Sequence, residues 1–132
     1  MKWLPILTIL AFTSCQAQND GNSSNQDNTS LVYQDIGLEE FESLVAEKPN
    51  AILLDLRTPA ETQGGTIPGA IELNFRDPQF AERLHQLDRE KTYIVYCASG
   101  GRSTRASQQM QEAGFGQVYN LKPGYRGWKA AQ

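Results

Sequence analysis

The sequence predicts an α/β domain in which helices cover both faces of a parallel sheet. Apolar, β-rich segments alternate along the chain with segments whose apolar residues recur at helical spacing. Such alternation is typical of parallel strands joined by helices. The chain has 132 residues, which is enough for one compact domain and excludes a multidomain enzyme.

In the first half, helical spacing predicts a helix over 38–47 that ends before Pro49. The continuous apolar run 51–56 predicts a strand buried on both faces. Four glycine and proline residues within 64–69 indicate an irregular connection, and a short strand is expected over 70–73.

A second helix is predicted to follow that short strand. Asp77 resembles an N-cap and Pro78 occupies the first helical position that proline favours. Phe80, Leu84 and Leu87 would form the apolar face of this helix.

The second half predicts two further strands and two further helices. The strands are 91–97, which ends at a cysteine, and 117–121. The helices are 103–113, which Gly114 ends, and a short one over 125–131.

The N-terminus predicts export and a tether. Residues 1–14 have the lysine and short apolar run of a signal peptide, and a run of ten residues is too short for a bilayer span, which needs about 20. The sequence up to Cys15 resembles the lipobox of bacterial lipoproteins, in which the cysteine carries lipid. Polar residues 16–30 predict a disordered tether, which leaves 31–132 as the folded domain. The lipobox resemblance implies that this domain is lipid-anchored in a bacterial cell envelope and faces the periplasm or the outside. The alternative is a soluble secreted protein that is cleaved near Ala17.

The charge is unevenly distributed. The net charge is −3, which gives no basic footprint for nucleic acid. Residues 31–90 carry 12 acidic and 5 basic side chains, a net −7, whereas 91–132 carry 6 basic and 1 acidic, a net +5. A small anion would therefore favour the second half.

The candidate catalytic residue is Cys97, which follows a predicted strand and precedes a predicted helix. Ligands of parallel sheets bind at such strand ends. If Cys15 carries lipid, Cys97 is the only remaining thiol and no disulfide can form. The alternative is an inert buried thiol. The loop that begins at this cysteine comprises Cys97, Ala98, Ser99, Gly100, Gly101, Arg102 and Ser103.

This loop has the parts of an anion cradle. Gly100 and Gly101 permit positive φ, so that successive N–H groups can point into one concavity. The helix N-terminus and Arg102 add positive charge. A thiol there should ionise more easily than free cysteine, whose pKa is about 8.5.

Three motifs resemble those of rhodanese-like domains. The loop matches the family pattern of cysteine, two residues, glycine, one residue, arginine and serine. The segment 55–70, which contains Asp55, Arg57 and Glu61, is similar to a second family signature, and 121–128 is similar to the C-terminal one. Thr66 and Pro123 depart from the family's histidine and glycine.

The resemblance implies a sulfurtransferase. Cys97 would take sulfur from a small anionic donor such as thiosulfate, become a persulfide, and pass the sulfur to a thiol or cyanide. The loop N–H groups and Arg102 would hold the sulfite. No cofactor and no metal are implied, and we expect a monomer.

Other readings stay open at this point. One is a sulfur relay or binding module fed by a partner protein, and another is a phosphatase or arsenate reductase. The four residues between Cys97 and Arg102 match sulfurtransferases, whereas the related phosphatases have a longer loop. We expect Asp55 and Arg57 to form a structural ion pair near the site, and His85 to be a solvated side chain.

Overall fold

A computed structural model describes residues 31–132 of the chain. The signal peptide, Cys15 and the tether predicted above lie outside the described residues. The strands are β1 (Val32–Ile36), β2 (Ile52–Asp55), β3 (Ile71–Glu72), β4 (Thr92–Tyr96) and β5 (Gln117–Leu121). All pair in parallel, in the order β1-β5-β4-β2-β3, which confirms the predicted fold class and puts β4 at the centre.

Helices cover both faces of this sheet. They are α1 (Leu38–Glu47), α2 (Pro59–Thr62), α3 (Phe80–His85), α4 (Gly101–Glu112) and α5 (Gly124–Ala130). Apolar residues of α3 and α4 pack in one core cluster, and those of α1 and α5 in the other. Within residues 31–132, no helix is long and apolar enough to cross a membrane.

The alternation of side chains along β4 determines where Cys97 points. Tyr93, Val95 and Cys97 belong to the cluster that α3 and α4 cover, whereas Ile94 and Tyr96 belong to the opposite cluster. This is the two-residue period of a strand buried on both faces. The cysteine therefore faces α4, the helix that follows it in the chain.

Two short elements were not predicted. One is β1, at the sheet edge beside β5. The other is α2, whose first turn is closed by a capping box in which Glu61 accepts hydrogen bonds from the Thr58 N–H and hydroxyl, both at 2.9 Å.

Two predicted helix starts were wrong. The α4 helix begins at Gly101 rather than Ser103, so Gly101 and Arg102 lie in its first turn. The α3 helix begins at Phe80, because Asp77 caps a turn instead: its Oδ1 accepts the Gln79 N–H at 2.9 Å. Since strands β2, β4 and β5 run parallel, the segments after them meet at the carboxyl end of the sheet. The Cys97 loop lies at this end.

Candidate active site

Cys97 directly follows the central strand β4, and the loop turns back over its sulfur. The Gly100 N–H donates to Sγ at 3.1 Å, and the Ser103 Oγ lies 3.6 Å from Sγ. The cysteine is only 1% exposed. Of the loop residues before α4, Ser99 is exposed, Ala98 half-buried and Gly100 buried. Only a small reactant can reach this sulfur without a change in the loop.

The environment favours the ionised thiol. Burial by itself raises the pKa of Cys97, but hydrogen bonds from the Ser103 side chain and from the backbone N–H groups of Ser103, Ser99 and Gly100 outweigh it and leave the pKa below its ordinary value. Thiolate is the nucleophilic form of cysteine. The predicted activation of Cys97 therefore has a structural basis.

Both the backbone conformation at position 100 and the atoms around it require glycine. Its φ is +96°, and a Cβ at this position would lie 2.5 Å from the Lys122 carbonyl oxygen. The sequence analysis also expected a positive φ at Gly101, and this expectation was wrong. Gly101 does not have a positive φ, because it already belongs to α4, and a Cβ there would meet no atom within 4 Å.

The start of α5 holds the other side of the loop. The Tyr125 N–H donates to the Cys97 carbonyl at 2.8 Å, and the Arg126 N–H donates to the Ala98 carbonyl at 3.1 Å. Gly124 makes this approach possible, since its φ is +64° and a Cβ would lie 2.7 Å from both carbonyl oxygens. Pro123 fits here without distortion, because its φ of −63° is the value the proline ring imposes.

Arg102 is engaged in a salt bridge, so its positive charge is partly balanced within the protein. Its two terminal nitrogens bind the two carboxylate oxygens of Glu61 at 2.7 and 2.8 Å. Glu61, foremost among the causes, raises the pKa of Arg102, and Arg102 in turn holds the pKa of Glu61 well below its usual range. The charge of the Cys97 thiolate also raises the pKa of Arg102. Glu61 thus belongs to the site, although sequence reasoning gave it no role.

Asp55 and Arg57 form the predicted ion pair. The pair is buried, with 2.6 Å between Arg57 Nη2 and Asp55 Oδ2, and the Tyr96 hydroxyl donates to the same carboxylate oxygen at 2.7 Å. The Arg57 guanidinium also stacks on Tyr125, with its carbon 3.7 Å from the ring centroid. Because the Tyr125 N–H binds the Cys97 carbonyl, the pair supports the loop indirectly.

The remaining predictions concern metals and histidine. His85 is exposed on α3, as expected. Among residues 31–132, no group of three or more histidine, cysteine, aspartate or glutamate side chains could hold a metal ion.

Comparison with known proteins identifies the family of this fold. A family model for the rhodanese-like domain matches residues 37–131, which include every element from α1 to α5. The chain belongs to the rhodanese-like family.

Two sulfurtransferases are about one-third identical to the chain over the aligned residues. A sulfurtransferase from Allochromatium vinosum is 32% identical over 97 residues, which cover 74% of this chain and 89% of that protein. The thiosulfate sulfurtransferase GlpE from Coxiella burnetii is 32% identical over 100 residues, covering 76% of this chain and 91% of that protein. The chain is thus similar to single-domain sulfurtransferases along nearly their whole length.

A solved structure gives the same assignment. The human single-domain sulfurtransferase TSTD1 superposes with a TM-score of 0.65 and is 25% identical, covering 76% of this chain and 99% of that one. The predicted resemblance is therefore confirmed at the level of the rhodanese-like sulfurtransferase family.

Proposed function

We propose that this rhodanese-like domain transfers sulfane sulfur from thiosulfate, or a similar small anionic donor, to a thiol or cyanide through a Cys97 persulfide. The observation that carries the proposal is the geometry at the sulfur, where hydrogen bonds from Gly100 and Ser103 stabilise a buried thiolate. The names of the two sulfurtransferase relatives add support.

The first step is a displacement at sulfur. The Cys97 thiolate attacks the outer sulfur of thiosulfate, a new S–S bond forms, and the bond to the sulfite sulfur breaks with its electron pair leaving on sulfite. The first N–H groups of α4 have no acceptor within their own helix and carry the positive end of its dipole. They favour the negative charge that builds up on the leaving sulfite.

The second step regenerates the enzyme. A thiolate or cyanide attacks the outer sulfur of the persulfide, and Cys97 leaves as thiolate. The same hydrogen bonds that stabilise the resting thiolate also stabilise this leaving group. No cofactor is needed for either step.

A small donor fits the site better than a sulfur-carrying protein partner, because Cys97 is almost completely buried. The test is transfer from thiosulfate to cyanide, with thiocyanate as the measured product and Cys97→Ser as the control. Saturable turnover that the Cys97→Ser chain lacks is the expected result.

Two results would contradict the proposal, one in this assay and one in a separate phosphatase assay. A folded, reduced chain that gives no thiocyanate would favour the partner-fed relay. Hydrolysis of a generic aryl phosphate that Cys97→Ser abolishes would favour the phosphatase reading. The four-residue spacing to Arg102 leads us to expect no such hydrolysis.

We further propose that Cys15 is lipidated and anchors the domain to a bacterial envelope membrane, with residues 16–30 as the spacer. The support is the lipobox-like sequence alone. In fractionated bacteria, the full chain should sediment with membranes and Cys15→Ser should not. Equal distribution of the two chains would contradict lipid anchoring.

A further inference from the structure

A chain of hydrogen bonds runs behind the Cys97 loop and is not used in the mechanism above. Its centre is Asn120, a polar β5 residue that is only 1% exposed. The Asn120 Nδ2 donates to Asp35 Oδ1 at 2.7 Å and to Thr104 Oγ1 at 3.1 Å. The Asp35 carboxylate fixes the orientation of the amide, because a flipped amide would place oxygen against oxygen.

The direction of the Thr104 hydroxyl follows from its neighbours. Its oxygen faces the Asn120 amide nitrogen and, at 3.4 Å, the Lys122 ammonium. Both of these groups can only donate, so the hydroxyl hydrogen must point elsewhere. It points to the Gly100 carbonyl oxygen, 2.8 Å away.

The Gly100 carbonyl therefore has more donors than it needs. Besides the Thr104 hydroxyl, it faces the Thr104 N–H at 3.0 Å and the Ser103 hydroxyl at 3.1 Å. A carbonyl oxygen has two lone pairs, and the two Thr104 donors fill both. The Ser103 hydroxyl is the surplus donor, and its oxygen is also 3.6 Å from the Cys97 sulfur.

We propose that Thr104, oriented by Asn120 and Asp35, is a positioning residue that occupies the Gly100 carbonyl and so allows the Ser103 hydroxyl to turn to the Cys97 sulfur. In the thiol form, the S–H donates to the Ser103 oxygen and the Ser103 hydrogen rests on the Gly100 carbonyl. When the thiol loses its proton to solvent, the Ser103 hydrogen rotates to the thiolate. Thr104 then keeps the Gly100 carbonyl hydrogen-bonded.

Without the Thr104 hydroxyl, Ser103 would have to choose between two acceptors. Turning to the thiolate would leave the carbonyl of the buried residue Gly100 with one donor, which costs free energy. The Ser103 hydrogen would then stay on the carbonyl, and the thiolate would lose a donor. The effect of Thr104 on the sulfur therefore passes through Ser103.

The proposed rotation of the Ser103 hydroxyl changes none of the charged groups near the sulfur. Arg102 from α4 lies near the sulfur and is paired with Glu61 from α2. Lys122 lies beside Gly100 and is paired with Asp35 at 3.3 Å, and Arg126 lies in the first turn of α5 on the opposite side of the loop. On the β2 side, the Asp55–Arg57 pair is internally neutralised. Substitutions confined to hydroxyl groups leave all of these charges in place.

The test is the pH midpoint for alkylation of Cys97 by iodoacetamide in the full chain, read by mass spectrometry of the Cys97 peptide. Thr104→Val keeps the shape of the side chain and should move the midpoint to higher pH, with alkylation below that midpoint roughly three- to tenfold slower. Thr104→Ser should restore the wild-type midpoint. Ser107→Ala is the matched control, since it removes another α4 hydroxyl that binds a backbone carbonyl, that of Ser103, at 2.8 Å.

The decisive comparison is made in a Ser103→Ala background. Because the proposed effect passes through Ser103, Thr104→Val should cause no further shift there. An unchanged midpoint in the single variant, or an equal shift in both backgrounds, would overturn the proposal. The proposal rests on the proposed function for the use of the thiolate, yet alkylation needs no sulfur transfer. Failure of thiosulfate turnover and failure of this coupling are therefore separate results.

Discussion

At the scale of single residues, Arg102 shows how an apparent substrate-binding cation can also be a structural one. Its planar guanidinium meets Glu61 through two parallel hydrogen bonds, and Glu61 at the same time caps α2 through Thr58. The loop arginine therefore joins the Cys97 loop to the segment after β2. The contribution of Arg102 to the site depends on the planar geometry of its guanidinium group as well as on its charge.

Arg102→Lys should test that geometry. Lysine keeps the charge but loses the paired contact with Glu61, so we expect kcat/KM for thiosulfate to fall roughly tenfold, in line with the loss of a charge-assisted hydrogen bond. Arg105→Lys is the control, because Arg105 is an exposed residue of the same helix. Equal rates for the two variants would show that charge alone suffices at Arg102.

Gly100 and Gly101 make a second matched pair. Gly100→Ala places a methyl group at positive φ and 2.5 Å from a carbonyl, and should lower the melting temperature by several degrees. Gly101→Ala puts the better helix former into open space at the start of α4, so its melting temperature should stay the same or rise. Thermal unfolding of both chains would reveal any reversal of this order.

At the scale of elements, α5 acts as a clamp on the Cys97 loop. Its first two N–H groups after Gly124 bind the Cys97 and Ala98 carbonyls, and its aromatic residue Tyr125 stacks on buried Arg57. The loop is thus held between α4, which binds the sulfur, and α5, which binds the backbone.

Gly124→Ala should break this clamp. Both Gly124 and Gly114 have positive φ, at +64° and +85°, but only Gly124 has backbone carbonyls in the way of a Cβ. Gly114→Ala should therefore cost only the conformational strain, about 1–2 kcal/mol of unfolding free energy, and keep its turnover number. Gly124→Ala should lose both stability and most of its thiosulfate turnover. Comparable turnover in the two variants would contradict the clamp.

The elements also show what sequence patterns can and cannot predict. A continuous apolar run predicted β2 and a β-rich run predicted β4, since burial on both faces leaves a continuous signal. The α2 helix was missed because it has four residues, although Pro59 and the Thr58–Glu61 capping box were visible signals. The edge strand β1 mixes buried and exposed positions over only five residues and gives a weaker pattern.

The candidate site likewise contains residues that a sequence motif predicts and contacts that it does not. Cys97, Gly100 and Ser103 are close in sequence, so a local motif predicted them. The pairing of Glu61 with Arg102 and the contact of Asn120 with Asp35 join residues 41 and 85 positions apart. Only the parallel order of the strands brings such residues to one edge of the sheet.

At the scale of the whole molecule, the charge asymmetry places the cations in the half that carries the reactive loop. Residues 91–132 have a net charge of +5, and their exposed Lys122 and Arg126 flank the loop at Gly100 and Ala98. Arg102 is paired with Glu61, and Lys122 forms an exposed salt bridge with Asp35, with 3.3 Å between Nζ and Oδ2. The field that a small anion meets first therefore comes from exposed Arg126 and from the net positive charge of this half of the chain.

This field predicts a salt dependence. Raising ionic strength from about 20 mM to about 500 mM should lower kcat/KM for dianionic thiosulfate several-fold, because ions screen charges that water reaches. Alkylation of Cys97 by uncharged iodoacetamide should change little over the same range. An equal response of both reactions would show that salt acts on the thiol or the fold and not on attraction of the donor.

The most direct test of the account is the intact mass of the chain after brief treatment with thiosulfate. In a Cys15→Ser background, Cys97 is the only thiol. The account predicts a gain of one sulfur, about 32 Da, which disappears when cyanide is added and never forms in Cys97→Ser. A folded chain with a reduced thiol that gains no mass, or a gain that persists in Cys97→Ser, would contradict sulfur transfer through Cys97.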